Sequence, residues 1–174
     1  SLLINDILDI EKLTAGKMEL HMQRLSLMPL VLQAKNRNLP LAQQNNVQLK
    51  IQSDLTDEVQ VLVDENRLQQ VFANLLANAI RFSPEQGLVL LEVRLIGIKV
   101  RVSVSDQGPG VPDQWLTQIF EPFFRIPGQI QNDPHGYGLG LALAMRQINA
   151  AGGSMLALNR PEGGLAVEIQ LPKR

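Results

Sequence analysis

The chain has 174 residues, 45% of them hydrophobic, which suffices for one ordinary domain with its own core and argues against a disordered polypeptide. A formal net charge of −1 argues against a dedicated nucleic-acid binder, which usually carries a basic face, and leaves only a local basic patch open. The absence of cysteine excludes disulfide frameworks, thiolate zinc sites and thiol catalysis, and no apolar run reaches the roughly 20 residues that span a bilayer.

Residues 2–13 carry helical periodicity. Leu3, Ile7 and Ile10 recur at a four-then-three spacing, Leu2 and Leu13 widen the stripe, and Thr14-Ala15-Gly16-Lys17 ends it. Two readings stay open: a terminal helix docked on its own domain, or the end of a helical hairpin that dimerises. The pattern is already under way at Ser1, which favours the second and reads as a piece of a longer protein.

Residues 22–27 suit a short strand. Pro29 suits the first turn of a helix to about residue 44, with Pro40 as a kink or an early stop. After the Asn45-Asn46 turn, Val47, Leu49 and Ile51 alternate as a strand, and residues 59–63 form another. Asp64 is a good N-cap for a helix reaching Phe82, where Ser83-Pro84 stops it. Residues 88–96 and 98–105 predict a hairpin around Gly97. A short helix over 113–119, a polar loop over 125–136, a helix over 139–151 and strands over 155–158 and 166–171 complete the chain; Gly152-Gly153 closes that last helix. Strands clustered in hairpins, with helices between them, predict an α+β fold. Its form is a two-layer α/β sandwich with a mixed, mostly antiparallel sheet and helices on one face.

Four local features carry chemistry. On the helix over 64–82, Leu68, Val71, Phe72, Leu75 and Ala79 share one side, while Asn74, Asn78 and Arg81 form a second stripe that Arg67 and Gln70 extend. Two asparagines one turn apart are poor helix formers, but their amide oxygens suit a hard cation, and Arg81 suits phosphate. An ordinary solvated face remains the plainer alternative. Ser105-Asp106-Gln107-Gly108-Pro109-Gly110 sets an acid at a strand end before two glycines; Asp106 can accept from an exocyclic amine, or simply cap a tight turn. Gly136-Tyr137-Gly138-Leu139-Gly140-Leu141 precedes a helix, so its backbone N–H groups can hold phosphate oxygens. It follows no βαβ strand and lacks Gly-Lys-Ser/Thr, which argues against a Rossmann or P-loop site. Phe120-Glu121-Pro122-Phe123-Phe124-Arg125 either anchors a lid or forms a small satellite core.

Together and in this order, the four features resemble the boxes of sensor histidine kinases. Residues 74–82 (Asn74-Leu75-Leu76-Ala77-Asn78-Ala79-Ile80-Arg81-Phe82) look like the N box, and Asp106-Gln107-Gly108-Pro109-Gly110 like the first glycine box. Residues 120–125 resemble the F box and residues 136–141 the second glycine box; the opening Leu3-Ile4-Asn5-Asp6-Ile7-Leu8-Asp9-Ile10 resembles the end of the dimerisation helix. The resemblance implies a Bergerat-type ATP-binding fold. Residues 1–20 would then be the remnant of the dimerisation and phosphoacceptor helix, and residues 21–174 the catalytic domain.

Carried over residue by residue, the resemblance has Asn74 coordinate Mg²⁺, Asn78 lie near the phosphates and Arg81 stand where lysine is common. Phe82 lies against the nucleotide, Asp106 accepts the adenine amine, and Gly108 and Gly110 let the backbone approach the base. Arg125 and residues 126–136 form a lid, and Gly136, Tyr137, Gly138, Leu139, Gly140 and Leu141 line the phosphates. The cofactors implied are ATP and Mg²⁺. The reaction implied is γ-phosphoryl transfer to a histidine, in which the protein positions and neutralises charge. Related ATPases carry a glutamate at the Asn74 position, and an asparagine cannot be that general base, so hydrolysis by itself is expected to be very slow.

The implied partners are a dimerisation and phosphoacceptor domain of the same protein, a downstream response-regulator receiver domain and a second copy in a homodimer. The implied location is a cytoplasmic domain, compatible with a membrane-anchored sensor. His21 and His135 sit outside any His-Glu acceptor motif, so neither is expected to be phosphorylated. Leu165 stands where a hydroxyl residue is common, and Ala151 where histidine is. The first departure gives some support to an alternative of another class, an interaction module of the same fold that binds nucleotide weakly and regulates another kinase. A serine-directed kinase of this fold is a third reading, which the dimerisation-helix remnant disfavours.

Overall fold

The computed structural model describes residues 2–56, 58–127 and 138–174. The order is α1 (Leu2–Thr14), β1 (Gln23–Ser26), α2 (Leu27–Gln44), β2 (Gln48–Ser53), β3 (Gln60–Val63), α3 (Glu65–Phe82), β4 (Leu88–Ile96), β5 (Lys99–Ser105), α4 (Gly140–Ala150), β6 (Ser154–Asn159) and β7 (Leu165–Pro172). Two 3-10 turns, Asp113–Trp115 and Gln118–Phe120, lie between β5 and α4.

Five strands form one sheet in the order β2-β4-β5-β7-β6. Only β2 and β4 pair in parallel; the other pairings are antiparallel, as the hairpin reading requires. The β4–β5 hairpin closes where Ile96 faces Lys99, and Gly97 takes a left-handed φ of 61° there. β1 and β3 pair separately, and a bridge from Val61 to Lys173 ties them to the end of β7.

α3 is set by its sequence at both ends. Asp64 Oδ1 accepts from the Arg67 N–H at 3.0 Å, which satisfies one orphan donor of the first turn, and Ser83 leaves the helix in extended conformation. Its apolar face buries Leu68, Val71, Phe72, Leu75, Leu76, Ala79 and Ile80. These meet the inward rows of the sheet, among them Val89, Leu91, Val93, Val102, Val104, Ile169 and Leu171. A fully buried Phe or Leu contributes about 1.5–3 kcal/mol by removal from water, so this layer contact dominates the fold's stability.

α2 starts at Leu27, two residues before the expected position. The Leu27 N–H donates to Val59 O at 3.0 Å and its side chain is wholly buried, so the turn from β1 into the helix is held by a partner strand. Pro29 still lies in the first turn, where no N–H bond is lost. The helix runs on through Pro40 to Gln44, and Leu39, Leu41 and Ala42 pack on the core. The segment expected to be one helix over 113–119 is instead the two 3-10 turns, too short to propagate an α-helix.

α1 packs against α4. Leu3, Ile10 and Leu13 pack with Leu139, Ala142 and Leu143 in a small second core, and Asp9 pairs with Arg67 at 3.3 Å. Ile7, read as part of the buried stripe, is 37% exposed, and Leu8 is 51% exposed, because α4 covers only the neighbouring strip of the helix. Among the described residues no helix is long and apolar enough to cross a membrane.

Candidate functional site

β5, the central strand, places Asp106 just beyond its C-terminal end, and the residue is only 4% exposed. Its N–H donates to Leu165 O at 3.0 Å. Its Oδ1 accepts from Gly108 N–H at 2.8 Å and from Leu165 N–H at 3.1 Å. Both bonds fall on one oxygen, so Oδ2 is left as an acceptor for a donor from elsewhere. Burial pushes the carboxyl upward from its ordinary pKa; the Gly108 and Leu165 N–H groups and the Arg160 charge oppose that rise without cancelling it. Leu165 makes both of its bonds through the backbone, so the departure at its side chain removes neither.

The turn after Asp106 presses on the end of α3. A Cβ on Gly108 would collide with the Phe82 carbonyl oxygen, so only glycine permits this approach. Phe82 and Arg81 are half-buried, with the Arg81 guanidinium 5.9 Å from the Phe82 ring centroid. One and two turns back along α3 lie Asn78 and Asn74, both half-buried. Asn74 Nδ2 donates to Gly140 O at 3.2 Å, which orients the amide and leaves Oδ1 as a free hard acceptor.

The third element arrives from the other side. Gly138, at φ 74°, accepts from the Phe123 N–H at 2.9 Å, and a Cβ there would sit 2.7 Å from Phe124 O. Leu139 turns its side chain into the small core with Ile10, only 3% exposed, so only its backbone remains for a ligand. α4 begins at Gly140 without a side-chain cap, so its first N–H groups have no acceptor within the helix. Leu141 is half-buried and packs on the main core. The phenylalanines divide: Phe120 is buried, Phe124 stands 6.4 Å from Trp115, and Phe123 is 60% exposed at φ 65°.

The structure therefore sets Gly108, next to Asp106, against Phe82 and Gly140 against Asn74, at the two ends of one strip of α3 that also carries Asn78, while Gly138 packs on Phe123 and Phe124. Gly110 takes φ 74°, and Arg125 is exposed. Gly136, Tyr137 and His135 lie outside the described residues, as does the proposed lid from residue 128 onward. Arg67 and Gln70 do not extend the asparagine stripe: Arg67 pairs with Asp9 and bonds Gln70, which accepts from Gln147 on α4 at 2.8 Å. Those contacts join α1, α3 and α4. An open cleft of ≈ 410 Å³ and a cavity of ≈ 20 Å³ both lie at that N-terminal end of α3, away from the asparagine strip. Sequence reasoning missed Asn159 and Arg160. Their only local signal is the Gly163-Gly164 turn that follows them.

Among the described residues no group of three or more His, Asp or Glu side chains could hold a metal. A cation on this strip would rely on Asn74 Oδ1, ligand phosphates and water. That donor set fits Mg²⁺, which keeps waters and prefers oxygen.

Residues 63–174 match the family model described as histidine kinase-, DNA gyrase B- and HSP90-like ATPase. Along 99% of its length the chain is 34% identical to the circadian input-output histidine kinase CikA of Synechococcus elongatus, of which it covers 23%. It is 36% identical to the signal transduction histidine-protein kinase BaeS of Escherichia coli over 71% of its length, covering 27% of that protein. The chain thus spans about a quarter of these relatives. Among solved structures, full-length ShkA in complex with AMPPNP superposes with a TM-score of 0.82 at 32% identity, over 98% of this chain and 35% of that one. The catalytic domain of histidine kinase ThkA superposes at 0.76 and 29% identity, over 90% and 97%. ThkA in complex with the response regulator TrrA superposes at 0.77 and 25% identity, over 99% and 48%.

Proposed function

The chain belongs to the family of histidine kinase-, DNA gyrase B- and HSP90-like ATPases, and from that premise we propose that it binds ATP along α3 and directs the γ-phosphate to a histidine on a dimerisation domain. The carrying observation is that the Asp106 turn and the Gly138–Gly140 turn meet one strip of α3, at Phe82 and at Asn74. Asp106 Oδ2 accepts the adenine amine, and the close approach at Gly108 lets the base lie near the backbone. Phe82 flanks the base. Asn78, Arg81, Arg125 and the N–H groups at the start of α4 face the phosphates. The backbone of Gly138, Leu139 and Gly140 lines them as well.

Asn74 Oδ1 would hold Mg²⁺; the ion, when bound, supplies charge neutralisation on the phosphate oxygens. The chain's own part is to orient the nucleotide, exclude water from it and leave no base that deprotonates water, since an asparagine amide cannot do so. Its proposed partners are the dimerisation and phosphoacceptor domain of the same protein, the receiver domain of a response regulator, as the complex of ThkA with the response regulator TrrA supports, and a second copy. We take residues 1–20 as belonging to the first of these and residues 21–174 as the catalytic domain, working in the cytoplasm.

Titration with ATP, with and without Mg²⁺, tests this reading. Binding in the micromolar to sub-millimolar range is expected, strengthened by Mg²⁺. Asp106→Asn should weaken it by about tenfold or more through loss of a charged acceptor, and Asn74→Asp should also weaken it. A flat titration of the folded chain would overturn the proposal in favour of the interaction module.

A further inference from the structure

The turn between β6 and β7 touches the base-recognition loop at both ends without reaching the asparagine strip. Arg160 Nη1 donates to the Asp106 carbonyl oxygen at 2.7 Å, and its Nη2 is held by Glu162 Oε1 at 2.7 Å. Its side chain is 21% exposed, so the guanidinium is largely taken up by these bonds. Asn159 grips the far end: Oδ1 accepts from Val111 N–H at 2.9 Å, while Nδ2 donates to Val111 O and to Asp113 Oδ1. Gly164 lies so close that a Cβ would collide with Asp106 O, and Arg160 N–H closes the turn on Gly164 O at 2.9 Å. The segment 106–111 is thus fixed at its first and last residues by one hairpin turn.

We propose that Asn159 and Arg160 are positioning residues that set base selectivity, by aiming Asp106 Oδ2 at the exocyclic amine of a purine. The inference rests on the reading of Asp106 given above. Neither side chain is placed near the phosphates, so their loss should relax the aim of the carboxylate and leave triphosphate binding alone. A site built to receive one hydrogen bond rejects an analogue that lacks the donor, and that rejection depends on geometry.

The test compares ATP with purine riboside triphosphate, which lacks the 6-amine, on the 174-residue chain with Mg²⁺. The unaltered chain should favour ATP by about tenfold or more. Arg160→Ala and Asn159→Ala should each bring that ratio below about threefold by weakening ATP, with the analogue's Kd changed less than about twofold. Arg160→Lys keeps one donor for the Asp106 carbonyl and should restore most of the preference. Equal weakening of both nucleotides would mean a merely structural role, and an unchanged ratio in both alanine variants would mean none; either overturns the proposal. The two alanine variants remove different bonds, so a folding failure in one leaves the ratio readable in the other. If the unaltered chain does not distinguish the two nucleotides, the reading of Asp106 falls and takes this inference with it. If it does and the variants still do, only the brace falls.

Discussion

Asp106 carries a charge in a place where burial opposes it, and this makes its chemistry sensitive to pH. Burial raises its pKa, and the N–H groups of Gly108 and Leu165 with the charge of Arg160 offset only part of the rise. The native carboxyl therefore takes up its proton at higher pH than in the unfolded chain. Its contribution to stability is fully present at acid pH, below the unfolded value, and is lost as pH rises through the native one. Nucleotide affinity should move in the opposite sense, since a protonated Asp106 no longer offers a charged acceptor. ATP affinity should thus fall as pH drops from neutrality through the raised pKa. The Asp106→Asn chain, in which this one group no longer titrates, provides the reference. Parallel curves for the two chains would count against the assignment. The candidate acid was legible at this scale because it stands at a strand end before two glycines. The two bonds on its Oδ1 were not, since one comes from Leu165, 59 positions away.

At the scale of the element, α3 was legible almost whole. Its cap, its apolar stripe and its Ser83-Pro84 stop are all written in adjacent residues. Asp64 does more than the cap predicts, for its Oδ2 also accepts from the His21 N–H at 2.9 Å and so ties the segment after α1 to α3. Burial alone would raise its pKa, yet the His21 and Arg67 N–H groups and the Arg67 charge bring it below the usual carboxylate range. That contribution is present above the unfolded pKa and lost as pH falls through the lowered native one. Asp64→Ala should cost about 1–2 kcal/mol at neutral pH from the lost cap and the unpaired donor, read as a lower denaturant midpoint with an unchanged slope. A midpoint within error of the unaltered chain would refute the double role. The start of α2 and the broken helix over 113–119 were misjudged because their boundaries follow from a strand contact and from segment length, which leave no trace in periodicity.

The whole molecule presents the asparagine strip of α3 and an N-terminal helix that shares a small core with Leu139, just before α4, through Ile10. No general base is available at the Asn74 position, so steady-state phosphate release from ATP should stay near background in a continuous assay. Rapid turnover would show that another residue activates water. The same incubation with ATP and Mg²⁺ should yield no phosphohistidine. His21 is exposed beside the cap of α3 and outside any acceptor motif, and stoichiometric label there or on His135 would reverse the assignment.

The sequence by itself determined the order of elements, the mixed sheet with helices on one face, the apolar and asparagine sides of α3 and the acid before its two glycines. Each of these is a pattern among residues within a few turns of one another, and local periodicity and backbone preference encode such patterns directly. The tertiary structure alone decided that α1 packs on α4, that Arg67 and Gln70 serve contacts with α1 and α4, that Leu139 faces a core, and that Asn159 and Arg160 brace the Asp106 turn. The deciding bonds join residues 58, 77, 48 and 54 positions apart. Contacts over such separations exist only once the sheet has set its strand order, and no neighbouring residue in the chain announces them.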